Sequence, residues 1–193
     1  MMQSKFIKIN RLKIDGLYGF DKKFDTGLHI LVGETNSCGK SLFIKLIDFA
    51  MGDDGRELKD YQILRKCSFL YAELIINGEL LTIKRNVYII DDKVDIYENS
   101  SIDDIFSKNL IPNQTVSYDE FQRILFKKIT GYDYIQIVSP KNNIEKITFA
   151  LYTNLFYLNQ GVEAGQLFRY PPTWFPKYER QKILSLFFNT EPV

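Results

Sequence analysis

Histidine and cysteine are scarce in this chain, and their scarcity removes whole classes of chemistry. A single histidine, His29, among 193 residues excludes any site built on two imidazoles. Two cysteines, Cys38 and Cys67, are too few for a disulfide framework or a four-thiolate zinc site. Neither sign of charge dominates. Against 25 Lys and Arg stand 24 Asp and Glu, so a generally basic nucleic-acid-binding surface is not supported, and only a local patch stays open. No apolar run approaches the ~18–20 residues of a membrane span, and Met1-Met2-Gln3-Ser4-Lys5 lacks the apolar core of a secretion signal. What the chain does have is core material: 45% hydrophobic residues, with 15 Phe and 12 Tyr, which excludes wholesale disorder. Its length suits one large domain or two small ones. The expectation is a soluble, cytoplasmic domain in a reducing compartment, with no membrane partner.

The hydrophobic pattern then orders the chain. Residues 5–15 alternate apolar and polar, as a half-buried strand does, but Ile7 and Ile9 share a face with Leu12 and Ile14 only if a bulge falls near Asn10-Arg11. Leu28 to Val32 is a compact apolar run bounded by Gly27 and Gly33, suited to a strand buried on both faces and placing His29 inside the fold. Lys40 to Met51 is apolar on nearly every side and predicts a buried helix stopped by Gly52; Asp53 to Lys59 reads as exposed loop. Phe69 to Ile76 and Leu80 to Arg85 flank Asn77-Gly78, a strong hairpin signal, and Asn86 to Ile90 with Val94 to Tyr97 flank a second turn. Ser117 and Glu120 fit a capping box ahead of the helical spacing Phe121, Ile124, Leu125, Lys128 and Ile129. Ile144 to Leu158 is expected to be helical, and a last helix is expected over Lys177 to Phe188.

The most informative segment is Gly33-Glu34-Thr35-Asn36-Ser37-Cys38-Gly39-Lys40-Ser41, placed between the predicted strand and the predicted helix. That is the context a Walker A phosphate loop demands. Backbone N–H groups of residues 36–41 can converge on a β-phosphate, with the helix dipole adding to them. Lys40 then reaches the β- and γ-phosphates, and Ser41 offers its hydroxyl to Mg²⁺. The spacing departs from the strict pattern, because five residues rather than four separate Gly33 from Gly39. Either the loop carries one extra residue or its first turn is made without glycine. Cys38 falls in this loop as a small residue with a secondary reading as a redox-sensitive thiol.

With those residues in place, the segment from Leu28 to Gly52 resembles the opening of SMC/Rad50/RecN-type ATPase heads, a branch of the ABC class of P-loop NTPases. The resemblance extends to Leu12–Ile14, Gly19-Phe20 and Phe24 before the loop, and to the hairpins of 68–98, which correspond to the β-subdomain of such heads. Phe156-Tyr157-Leu158-Asn159-Gln160 resembles a Q-loop, which implies that Gln160 meets Mg²⁺ and the attacking water. The implied fold is α/β: a mixed sheet around the Walker A helix (1–66), an antiparallel β-subdomain (67–98) and a helical segment leading toward a coiled-coil arm (99–193). The implied cofactors are ATP and Mg²⁺. The implied partners are a second ATPase head and, by resemblance alone, DNA, in repair, chromosome organisation or anti-phage defence.

Such a head also needs a signature motif and a Walker B strand. No Ser-Gly-Gly occurs, and Asp91-Asp92 after Val87-Tyr88-Ile89-Ile90 reads better as a turn between strands. The expectation is therefore the N-terminal half of a head, which hydrolyses ATP only when completed. Two alternatives stay open: a complete small P-loop kinase with Asp91 as its metal-side acid, and a nucleotide-binding interaction module without turnover. Arg56 and Arg65 read as exposed loop residues, Lys8, Arg11 and Lys13 as a solvated face, and Trp174 as packing near the last helix.

Overall fold

A computed structural model of the chain describes residues 6–27, 29–30, 32, 39–89, 93–133, 135–138 and 144–147. The chain divides into two compact units, Met1–Phe121 and Gln122–Val193.

The first unit is built on a six-stranded sheet. Its strands are β1 (Ile7–Gly16), β2 (Phe20–Lys23), β3 (Cys67–Ile76), β4 (Glu79–Asn86), β5 (Lys93–Glu98) and β6 (Gln114–Ser117), in the order β2-β1-β3-β4-β5-β6. Every pairing is antiparallel, where a mixed sheet with a separate β-subdomain was expected. The difference arises at Leu28 to Val32. Of that run His29, Ile30 and Val32 are described, and they lie exposed outside any strand, Ile30 at 76% and Val32 at 83%. A strand buried on both faces needs hydrogen-bonded neighbours on both edges. None of the described strands pairs with His29, Ile30 or Val32, and β1 and β2 stand in one sheet with the hairpins. His29 is thus not a core residue; its Nε2 sits 2.9 Å from the Asp25 carbonyl, with the ring edge-on to Phe24.

One face of the sheet is dry. Leu12, Ala72, Ile83 and Ile96 form a cross-strand row with no solvent exposure. The opposite face carries the row Asp21, Lys13, Tyr71, Lys84, Asp95 and Thr115. Part of it is covered by α2 (Ile102–Lys108), whose Ile102 and Ile105 pack with Tyr71 and Tyr97. The expected bulge is present: the register shifts between Ile9 and Arg11. It brings Asn10 and Arg11 to Glu73 on the α2 side, which makes Arg11 buried rather than solvated. Arg11 forks onto Asp21 at 2.7 and 2.6 Å and reaches Asp103 at 2.8 Å. Buried Glu73 accepts from the Ile102 N–H and from Asn10 Nδ2, each at 2.8 Å. Together these bonds tie β2 and α2 to the sheet.

The Asn77-Gly78 turn joins β3 to β4 with both residues at positive φ, 52° and 91°, as a two-residue hairpin requires. No strand continues over Val87 to Ile89. The Asn86 side-chain carbonyl accepts from the N–H groups of Tyr88 and Ile89 at 2.9 and 2.8 Å, turning the chain out of β4. Asp53 to Lys59 is not simply exposed, because the 3-10 turn Arg56–Asp60 buries Leu58.

The helix α3 (Tyr118–Thr130) starts as expected, its Glu120 N–H donating to Ser117 Oγ, and buries Phe121, Leu125, Phe126 and Ile129. In the second unit, β7 (Ile135–Val138) and β8 (Ile144–Ile147) form an antiparallel hairpin. Residues 144–147 are therefore strand where helix was expected. Ile135, Ile137, Val138, Ile144 and Ile147 are β-branched residues, whose intrinsic preference is for strand over helix. The expected helix over Lys177 to Phe188 and Trp174 lie outside the described residues.

Candidate functional site

The helix α1 (Lys40–Ala50) forms where the Gly-Lys-Ser motif placed it. Gly39 is its N-cap, at φ 86° and ψ 8°, in the left-handed region. A Cβ built there meets nothing within 4 Å, so backbone conformation alone calls for glycine at this position. The Gly39 carbonyl accepts from the Phe43 N–H at 2.9 Å, the first bond of the helix.

The start of α1 differs in kind from that of α2. At α2, Ser101 Oγ accepts from the Asp104 N–H, Asp104 returns the bond, and Asp103 and Asp104 stand in the first turn. This is a helix end satisfied from within. At α1 the N-cap is glycine, which has no side chain to cap the helix, and no acid stands in its first turn. Instead its first residue is Lys40 and its second is Ser41, which is exposed. A helix N-terminus carries about half a positive charge, and acids normally complement it. A cation and a hydroxyl in their place suit an anion that arrives from outside.

Beside this end lies a cavity of about 300 Å³. Its lining is mainly apolar, with Ile14, Phe20, Leu42, Phe43 and Leu46, and it includes Gly39 and Lys40. Phe20 and Phe24 approach Phe43 with ring centroids 5.5 and 6.2 Å apart. An apolar recess joined to an anion-seeking helix end can take a molecule with one flat apolar part and one phosphorylated part.

The other end of α1 is closed tightly. Gly52 at φ 97° donates to the Phe49 carbonyl and Asp53 to the Asp48 carbonyl, a Schellman cap at the expected glycine. Arg85 of β4 is buried against it, donating to the carbonyls of Phe49 at 2.5 Å and Asp53 at 2.7 Å. Near the same end, burial and the neighbouring Asp53 push the Asp48 carboxyl up to about 6.

Of the predicted site residues, the structure therefore places Gly39, Lys40 and Ser41 together at one helix start. Gly33, Asn36, Ser37, Cys38 and Gln160 lie outside the described residues, as do Asp91 and Asp92. Arg56 is exposed and pairs with Asp54 at 2.8 Å. Sequence reasoning missed Arg85 and the Arg11–Glu73 network. A lone arginine in an otherwise apolar-facing strand position was the signal for the first; the bulge was the signal for the second. No group of His, Cys, Asp and Glu among the described residues is arranged to hold a metal, and no described helix is long and apolar enough to cross a membrane. Comparison of the chain with protein-family models, with curated proteins and with solved structures returned no match.

Proposed function

We propose that this chain binds ATP with Mg²⁺ at the start of α1, as the nucleotide-binding N-terminal part of an SMC/Rad50-like ATPase head. The observation that carries the reading is the α1 start itself, with Gly39 left-handed, Lys40 and Ser41 leading, and no acid in the first turn. In this reading Lys40 neutralises the β- and γ-phosphates, Ser41 supplies a hydroxyl to Mg²⁺, and the loop residues Gly33, Asn36, Ser37 and Cys38 wrap the phosphates. The adjoining apolar cavity favours a nucleotide over a bare phosphate. Gln160 senses the γ-phosphate. Turnover requires a C-terminal segment supplying the signature and Walker B motifs and a second head. Action on DNA belongs to the family resemblance alone. The antiparallel relation of β4 and β5 also favours this reading over a small kinase, whose core should alternate strands with helices.

The test is calorimetry of ATP binding with and without Mg²⁺. Wild type should bind in a Mg²⁺-dependent way. Lys40→Ala should lose at least tenfold in affinity, about 1.4 kcal/mol, and Ser41→Ala should lose the Mg²⁺ dependence. Equal affinity in wild type and Lys40→Ala would overturn the assignment. Efficient turnover by these residues alone would replace it with the kinase reading.

A further inference from the structure

Arg85 joins three elements at one point. The residue is 1% exposed, and its Nη1 donates to the carbonyls of Phe49 and Asp53 at the C-terminal end of α1. Its Cζ lies 3.6 Å from the Phe49 ring centroid and 5.9 Å from that of Tyr118, the first residue of α3. The residue itself belongs to β4, paired with Leu70 of β3, so the backbone that carries it is fixed in the middle of the sheet. Asp53 and Asp54 also act electrostatically on Tyr118.

A helix of 11 residues is a rod about 16 Å long. A shift of the rod along its axis would carry both ends together, because the intrahelical bonds leave it little freedom to bend. The far end of that rod is gripped by a buried group that also faces the start of a second helix. We propose that Arg85 is a mechanical junction through which the occupancy of the α1 N-terminus is read at the first turn of α3. The position suits a guanidinium, which donates to two carbonyls while its Cζ lies over the Phe49 ring, a combination that a lysine ammonium matches poorly. The read-out of occupancy rests on the function proposed above; the Arg85 coupling of α1 to α3 does not.

The experiment has two arms on the full chain. The first is a double-mutant cycle of Phe49→Leu and Tyr118→Leu by urea unfolding without nucleotide. No direct ring contact between Phe49 and Tyr118 accompanies their contacts to Arg85, so the two changes should be non-additive by a factor of about three or more in the unfolding constant. The same cycle in Arg85→Lys should be additive. The second arm follows amide exchange of α3. ATP with Mg²⁺ should slow it about threefold or more in wild type and leave it unchanged in Tyr118→Leu, whose ATP affinity should stay within about twofold of wild type. An additive cycle in wild type overturns the junction, whatever nucleotide does. Wild type that binds ATP with no change across α3, or Tyr118→Leu that keeps the change, overturns it also. A non-additive cycle in a protein that binds no ATP keeps the Arg85 coupling of α1 to α3 and overturns the occupancy read-out together with the nucleotide reading.

Discussion

Replacing Asp48 with asparagine should stabilise this protein at neutral pH and leave it unchanged in acid. Asp48 sits in the last turn of α1, where the helix carries partial negative charge and where no basic residue stands. Burial, with the charge of Asp53 beside it, raises its carboxyl from 3.8 to about 6, while Lys45 opposes the shift. A raised acid binds its proton more tightly folded than unfolded. Stability from this group is therefore fully present below about pH 4 and is lost as pH rises through about 6. At ~1.4 kcal/mol per pH unit the ceiling is ~3 kcal/mol. Because the side chain keeps partial contact with water, screening reduces this to ~1–2 kcal/mol. An asparagine side chain cannot ionise, so the difference between Asp48→Asn and wild type should be near zero at pH 4 and reach ~1–2 kcal/mol in favour of the variant by pH 7. Urea unfolding of both proteins at intervals of half a pH unit measures it. A difference that stays flat across that range, or that favours wild type at pH 7, would refute both the burial and the charge geometry at this helix end.

Glycine positions provide a paired check. Gly16→Ala would bring Cβ to 2.5 Å from Cys67 Cα and the Lys66 carbonyl, so it should cost about 3–5 kcal/mol in thermal or urea unfolding. Gly78→Ala, with nothing within 4 Å, should cost only about 1–2 kcal/mol, the backbone penalty alone. Arg11→Met should lower stability by about 3 kcal/mol at pH 7, since it removes the cation beside buried Glu73. The loss should shrink in acid as Asp21, held low chiefly by its bond to Arg11, becomes protonated in wild type too.

Several elements were legible because a local rule and the tertiary structure agree. The bulge at Asn10 followed from a break in alternation, the β3–β4 turn from Asn77-Gly78, and the α1 limits from Gly39 and Gly52. Where the two levels diverge, local reading failed. Leu28 to Val32 has the composition of an interior strand, but composition cannot supply the neighbours that such a strand needs. Ile144 to Ile147 reads as helix by apolar content, whereas its β-branched residues and its pairing with Ile135 to Val138 decide for strand. The short α2 escaped notice although Ser101 and Asp104 carry its capping box in plain view. At the site, Gly-Lys-Ser announces itself, whereas Arg85 acts through the carbonyls of Phe49 and Asp53, distant in the chain, and only folding brings them together.

The pairing of β1 with β3 has a kinetic consequence. The strands β3, β4, β5 and β6 follow one another as a meander, each connection far shorter than the stretch that separates β1 from β3. In contrast, Gly16 meets Cys67 only after the whole stretch from Leu17 to Lys66 has been drawn into a loop. That loop contains α1 and its Gly39–Ser41 start. The meander needs no such closure, so β1 is expected to join it late, and with it the loop that carries Gly39–Ser41. A ligand that recognises only the closed loop would slow unfolding more than it would speed folding, and refolding in its presence would show the asymmetry.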